Sequence, residues 1–470
     1  MRFLCSLSFV ALLSACAAGP DFTPPAPPHV AYTATPLARA MAAGADEPAQ
    51  RLTLGKAVSS QWWNLFDAPP LDAMIEEGIA HSPTLEAARA TLEGAKQAVL
   101  QAEGGFYPQA DMASSAQRQK GLSSTHPSNV YSVGPTVSFA PDIFGGTRRA
   151  VEQAQAQADN QLYQLGAAYL TLTGDIATQA VTLASLRAQL AATHKIIAED
   201  EQNLKLVRDK YQAGKAARTD VLTAQTQLES DRALPAPLEQ QVSVARHALA
   251  VLIGQFPGQW SAPKLDLAAL KLPADLPVSL PSVLVHQRPD ILAAEAQLRA
   301  ASAGIGVAEA KMYPDISLSA SVGTQALAAG NLFGASSLIW GLTSGVTTPL
   351  FHGGALEAQK QEAVQAFDAA AATYRQTVLQ AFGQVADSLR ALQHDAELAG
   401  AEKSALSVAE TSLGLQRDSY AYGKTDLLSL ITAERAAEQA RLAYIRAAAQ
   451  RYLDTVQLFV AMGGGWRAAQ

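Results

Sequence analysis

The sequence predicts a mainly α-helical protein with a small membrane-spanning β part. It is duplicated within the chain and completed by assembly of several copies. Three observations carry this: an ordered internal repeat, two proline-free helical stretches of 65 and 66 residues, and short runs that alternate apolar with small polar residues.

The repeat sets the architecture. Ser82-Pro83-Thr84-Leu85 opens a segment that ends Glu103-Gly104-Gly105-Phe106-Tyr107-Pro108. Arg288-Pro289-Asp290-Ile291 opens another, ending Glu309-Ala310-Lys311-Met312-Tyr313-Pro314 at an offset of 206. Pro141 to Gly146 matches Pro349 to Gly354 at offset 208. Leu204 to Lys215 matches Leu413 to Lys424 at offset 209, with leucines, arginine, aspartate, tyrosine, glycine and lysine in register. Each copy reads helix, two strands, long helix, turn, helix. The first repeat covers 61–254, with strands 108–119 and 129–140 and a long helix 147–211. The second covers 283–463, with strands 315–325 and 338–348 and a long helix 355–420. Residues 255–282 link the copies, and 464–470 form a C-terminal tail.

Ser82 suits an N-cap and Pro83 a first helical turn. Pro108 and Pro314 end the first helices. Beyond Pro314, Ile316, Leu318, Ala320 and Val322 alternate with Ser317, Ser319, Ser321 and Gly323. Tyr131, Val133, Val137 and Phe139 alternate with Ser132, Gly134, Thr136 and Ser138. Trp340, Leu342 and Val346 alternate with Gly341, Thr343, Gly345 and Thr347. Period two of this kind makes a strand with one greasy face. The opposite face is almost uncharged and suits a wet lumen, and each run approaches the roughly 10 residues of a tilted transmembrane strand. The strand from Pro108 is poorly patterned.

At about 1.5 Å per residue each long helix reaches roughly 100 Å, which implies a helical barrel or coiled coil. Pro235 and Pro237 predict a break in the helix returning from the first turn, since an interior proline costs roughly 3 kcal/mol. Four strands cannot close a membrane barrel, and an open edge in lipid is forbidden, so the chain oligomerises. This argument allows three or four copies; three make twelve strands.

The chain has 470 residues, 49% hydrophobic and 16% charged, and carries a net charge of −7. The acidic balance disfavours a nucleic-acid partner. No apolar run beyond the N-terminus approaches the roughly 20 residues of a spanning helix. The eight histidines are scattered without metal-ligand spacing, and Gly304-Ile305-Gly306 lacks a third glycine and lies in a helix. No enzyme, cofactor or metal site is expected. Residues 1–15 read as a signal peptide, with Arg2 before an apolar run and Leu13-Ser14-Ala15-Cys16 as a lipobox. Cys16 is the expected lipidation site, followed by an extension over 16–60. Cys5 and Cys16 are the only cysteines, so no disulfide framework exists.

Several segments resemble outer-membrane factors of the TolC/NodT type. These are Cys16-Ala17-Ala18-Gly19-Pro20-Asp21-Phe22, Gln61-Trp62-Trp63-Asn64-Leu65-Phe66-Asp67, Leu280 to Ile291 with its His286-Gln287-Arg288-Pro289-Asp290 core, and Gly463-Gly464-Gly465-Trp466. The resemblance implies a homotrimer with a twelve-stranded outer-membrane barrel, a periplasmic helical barrel and an equatorial collar, which 255–282 and the tail would build. It implies the exit channel of a tripartite efflux pump of the resistance-nodulation-division type. Its partners would be a periplasmic adaptor and an inner-membrane transporter, and its cargo small molecules such as drugs. Ala17 after the cysteine favours outer-membrane sorting by the same resemblance.

In such proteins the second-repeat helix pair swings to open a closed tip. That places Leu413, Arg417, Asp418 and Tyr420 at a periplasmic gate, and Tyr211, Gly214, Lys215, Gly423, Lys424 and Thr425 at the tip turns and adaptor contact. Leucine rings would make a dry gate, and aspartate rings would favour cations. Arg417 and Asp418 have a second reading as an inter-helix ion pair, and Arg208 with Asp209 in the first copy favours a structural role for at least one copy. Trp62 and Trp63 read as packing residues. The rival functions are a type I protein-secretion duct, which shares the fold, and a non-conducting periplasmic lipoprotein.

Overall fold

A computed structural model describes residues 18–28, 30–35, 49–120 and 126–466. The signal peptide and Cys16 lie outside the described residues. The chain forms two compact units. One holds the described residues up to Pro25 with Ala90–Leu162 and Ala293–Gln376; the other holds Ala26–Arg89, Tyr163–Leu292 and the described residues from Thr377.

The first unit contains a four-stranded antiparallel sheet in the order β2-β3-β5-β6. Its strands are β2 (Gln109–Gln119), β3 (Ser128–Phe139), β5 (Asp315–Ala326) and β6 (Leu338–Thr347). Register decides which side chains share a face. Met112 opposes Pro135 and Ser114 opposes Val133; Val137 opposes Ala320, Val322 opposes Trp340 and Ala320 opposes Leu342. One face thus collects Ala110, Met112, Val133, Val137, Val322, Trp340 and Leu342. The other collects Asp111, Ser115, Ser132, Thr136, Ser319, Ser321 and Thr343. The weakly patterned β2 places Ala110 and Met112 on the apolar face once its partner is known, with Ser114 and Arg118 on the same side. Trp340, Leu342 and Met112 are 79%, 77% and 72% exposed. Such an apolar surface on a sheet with two open edges needs a non-aqueous neighbour.

The same unit anchors the start of the described chain. Arg149, nearly buried, donates from Nε to the Ala18 carbonyl at 3.0 Å and from Nη2 to Asp21 at 2.7 Å. Asp142 accepts from the Thr147 and Arg148 amides at 2.9 and 3.0 Å, which caps the first long helix with a charged acceptor.

The helices, in chain order, are α1 (Pro69–His81), α2 (Pro83–Glu103), α3 (Gly146–Gln212), α4 (Arg218–Asp231), α5 (Pro235–Leu252), α6 (Pro281–Leu284), α7 (Pro289–Ala310), α8 (Ala355–Ala421) and α9 (Leu427–Ala461). α3 and α8 each run 67 residues. None of the described helices is long and apolar enough to cross a membrane. The break at Pro235 is present: Ala233 and Leu234 donate to carbonyls three residues back, and Pro235 begins α5. The cost of the prolines is largely avoided, because amides of a first helical turn have no intrahelical partner to lose.

The second unit is built on an aromatic core. Trp62, Trp63 and Phe66 lie on a 3-10 turn, fully buried, and Trp62 packs 5.5 Å from Phe459. Trp466 lies over Gly166, where a Cβ would approach the indole to 2.5 Å, so the glycine makes room for the ring. Arg288, also buried, donates to both Asp290 oxygens at 3.0 and 2.6 Å, to the Ala461 carbonyl at 2.8 Å and to Gln384 at 2.8 Å. The Arg-Pro-Asp motif therefore ties the start of α7 to the end of α9. This unit also holds a short parallel pair the sequence did not reveal. β1 (Arg51–Leu54), within the presumed extension, pairs with β4 (Asp275–Val278), within the presumed linker.

Candidate functional site

The tips of the two long helices end alike. Lys215 donates its amide to the Lys210 carbonyl and Lys424 to the Ser419 carbonyl, both at 2.8 Å. Gly214 and Gly423 take φ of 69° and 72°. This six-to-one closure with a left-handed glycine is the Schellman stop, and a side chain there would be strained. The next helices begin on acids: Asp220 accepts from the Ala217 amide at 2.9 Å and Asp426 from the Ser429 amide at 2.8 Å. The Ser429 side chain, followed by the Ser429 amide, holds the Asp426 carboxyl below its ordinary range. Tyr211 and Tyr422 are exposed at the turns.

The gate candidates separate into two groups. Leu413 and Tyr420 are buried with Leu204 and Val207 of α3, Leu228 of α4 and Leu430 of α9. Their side chains pack within the protomer, so Leu413 is buried here and does not present itself to a lumen as an exposed ring residue would. Asp418 is exposed, as are Thr411 and Leu415 at helical spacing along α8 and Tyr422 just past its end. Leu415, 66% exposed, was missed as a candidate. Helical phase was the missing information, since the leucine two positions earlier points the other way.

Arg417 is half-exposed and paired. Its Nη2 lies 3.1 Å from Glu199 on α3 and 3.8 Å from Glu434 on α9. Asn203 also donates to Glu434. Burial pushes Glu434 up to about 7, against the opposing pull of Arg417. Lys210 sits 3.7 Å above the Tyr420 ring and donates to the Tyr420 carbonyl. A cation on the last carbonyls of α8 is favoured by the helix dipole as well as the ring. Burial lowers the Lys210 amine and raises the Tyr420 hydroxyl.

A second polar group lies on the same helices. Asp200 and Asp231 are each 5% exposed. Asp231 accepts from Gln227 Nε2 at 2.7 Å, and Gln227 Oε1 accepts from Arg435 Nε at 2.7 Å. Burial, followed by the Asp231 carboxyl and the charges of Glu434 and Glu438, pushes Asp200 up to about 8. Sequence reading found none of these acids, because spacing along one helix does not reveal what faces it from another.

An amphipathic quarter-sheet or third-sheet with open edges, joined to paired helices of this length, defines an outer-membrane channel subunit. The chain belongs to the outer membrane efflux protein family, whose model matches residues 74–255 and 280–464. It is 30% identical over 466 residues to outer membrane protein OprJ of Pseudomonas aeruginosa, covering 97% of this chain and 94% of the relative. It is 28% identical over 459 residues to nodulation protein T of Rhizobium leguminosarum bv. viciae, covering 97% and 92%. The solved outer-membrane channel OprN superposes with a TM-score of 0.86 at 26% identity, over 96% of this chain and all of that one. The fold is that of the trimeric efflux channels, and four strands are one third of the barrel. The protein is an outer-membrane transport protein that extends into the periplasm.

Proposed function

We propose that three copies of this chain form the exit duct of a tripartite pump, receiving small molecules such as drugs from an inner-membrane transporter through a periplasmic adaptor. The observation that carries the reading is the division of the sheet into an apolar face around Trp340 and Leu342 and a polar, hydroxyl-rich face around Ser319 and Thr343. Such a sheet, closed by two further copies, puts grease toward lipid and hydroxyls toward a water-filled lumen. Cys16 would carry the lipid that tethers the N-terminus.

At the tip, Arg417–Glu199 and Lys210–Tyr420 hold α8 against α3 and keep the duct shut. The exposed Leu415 and Asp418 would form successive rings around the constriction, one dry and one favouring cations. Tyr211, Lys215, Lys424 and Thr425 lie beside the two stops, where an adaptor would grip. Deleting the gene in the native host tests the reading. The expected result is greater sensitivity to at least one small toxic compound with the secreted proteins unchanged. Loss of a secreted protein at unchanged sensitivity would instead favour a type I secretion duct.

A further inference from the structure

Asp200 Oδ2 is buried and receives no N–H or O–H donor among the described residues. It stands within hydrogen-bonding reach of the Asp231 carboxyl. Two carboxylates make no hydrogen bond to each other; a carboxylic acid and a carboxylate do. The Gln227 amide separates the two. Its nitrogen donates to Asp231 and its oxygen accepts from Arg435, so Asp231 has a protein donor while Asp200 Oδ2 has none and is the group left needing a proton.

We propose that Asp200 and Asp231 share one proton and form a pH sensor, which keeps α9 packed on α3 and α4 while the proton is present and releases it when the proton leaves. It rests on the reading that the helix tips are the moving part of the duct.

Every element around the pair contributes charge. α3 presents Glu199 and Asp200, with Asn203 beside them; α4 presents Asp231; α8 presents Arg417; and α9 presents Glu434, Arg435 and Glu438. Arg232 is spent on the exposed Glu201 and Glu229, and Arg441 on Glu410. Arg417 already faces Glu199 and Glu434, and Arg435 reaches the pair only through Gln227. When Asp200 gives its proton to water, two neighbouring carboxylates remain, with Glu434 and Glu438 across the α9 contact. Separation of α9 readmits water to all four.

The sign follows from linkage. An acid held above its ordinary range in the packed arrangement stabilises that arrangement fully below the usual carboxylate range. The contribution is lost as pH rises and is gone above about 8. Acid therefore closes and alkali opens.

The test uses the purified full-length trimer in planar bilayers between pH 6 and 9, beside Asp200→Asn, Asp231→Asn and Arg417→Ala. Wild-type open probability should rise with pH, by up to about tenfold per unit for one proton. Both amide variants should lose the slope, and using two guards against one failing to assemble. Infrared difference spectra should show a protonated-carboxyl band at pH 7 that vanishes by pH 9 and is absent in Asp200→Asn. An unchanged slope in a folded Asp200→Asn trimer, or no Asp200-dependent band, overturns the sensor. Arg417→Ala separates the two readings. If it opens the channel while Asp200→Asn keeps its slope, the tip gate stands and the sensor falls. If it leaves opening unchanged, the tip gate falls, and the Asp200-dependent band still supports the shared proton.

Discussion

Arg417 of α8 grips Glu199 of α3 at 3.1 Å, and the same guanidinium faces Glu434 of α9 at 3.8 Å. One cation thus joins three helices of the tip at half-buried positions. Arg417→Ala should cost only about 1 kcal/mol or less in global stability, as partly exposed ion pairs do. It should raise the open probability of single channels severalfold, and Glu199→Ala should do the same. Thermal unfolding and bilayer recording on one preparation check both halves.

Lys210 and Tyr420 make the second tie at the tip. Lys210→Met keeps the aliphatic stem and removes the charge, the ring contact and the bond to the Tyr420 carbonyl. Loss of a cation–π contact is worth about 0.5–1 kcal/mol. The expected result is faster hydrogen exchange in the last turn of α8 with the β-sheet amides unchanged.

The two sheet faces predict opposite tolerance. Leu342→Arg places a charge on the apolar face and should cost about 2–4 kcal/mol if it lies near the bilayer midplane. Thr343→Arg, one residue on, points to the polar face. Trimer yield in outer-membrane fractions should fall for the first and hold for the second, whose single-channel current should instead drop.

Asp454 is 1% exposed on α9, and burial followed by the neighbouring Asp395 carboxyl pushes it up to about 7. A raised acid stabilises the fold fully below the ordinary carboxylate range and loses that contribution as pH climbs through about 7. The melting temperature of the wild type should therefore fall between pH 5 and pH 9. Asp454→Asn should flatten the fall, with a gain at pH 9 of about 1–3 kcal/mol, given that one pKa unit is worth about 1.4 kcal/mol.

Arg288 makes four hydrogen bonds in a buried setting, two of them to Asp290. Arg288→Ala leaves that acid and the Ala461 carbonyl without their donor and should cost about 3–5 kcal/mol. Arg288→Lys should fail to restore it, because a single ammonium cannot reproduce the forked geometry. Protease resistance of the folded protein reads both.

Duplication, strands and tip glycines were legible in the sequence because each is written in local spacing. The alternation from Ile316 to Gly323 needs no partner to be recognised. β2 does: Met112 and Ala110 declare a face only when Pro135 and Val137 lie opposite. β1 and β4 are four residues each and more than 200 residues apart, too short for a period to show. Arg417 and Asp418 were singled out as gate candidates through the repeat. The helical phase that buries Leu413 and exposes Leu415 is set by tertiary packing on an alanine-rich helix with no strong apolar stripe. Glu199, Glu434 and Asp200 are functional candidates only through neighbours on other helices.

The central claim, that this chain makes a transmembrane duct shut at its periplasmic tip, is tested most directly by planar-bilayer conductance of the purified trimer beside an Arg417→Ala, Glu199→Ala double variant. The account predicts discrete channels that open rarely in the wild type and often in the variant. A folded trimer that conducts in neither form would contradict it and indicate a structural lipoprotein.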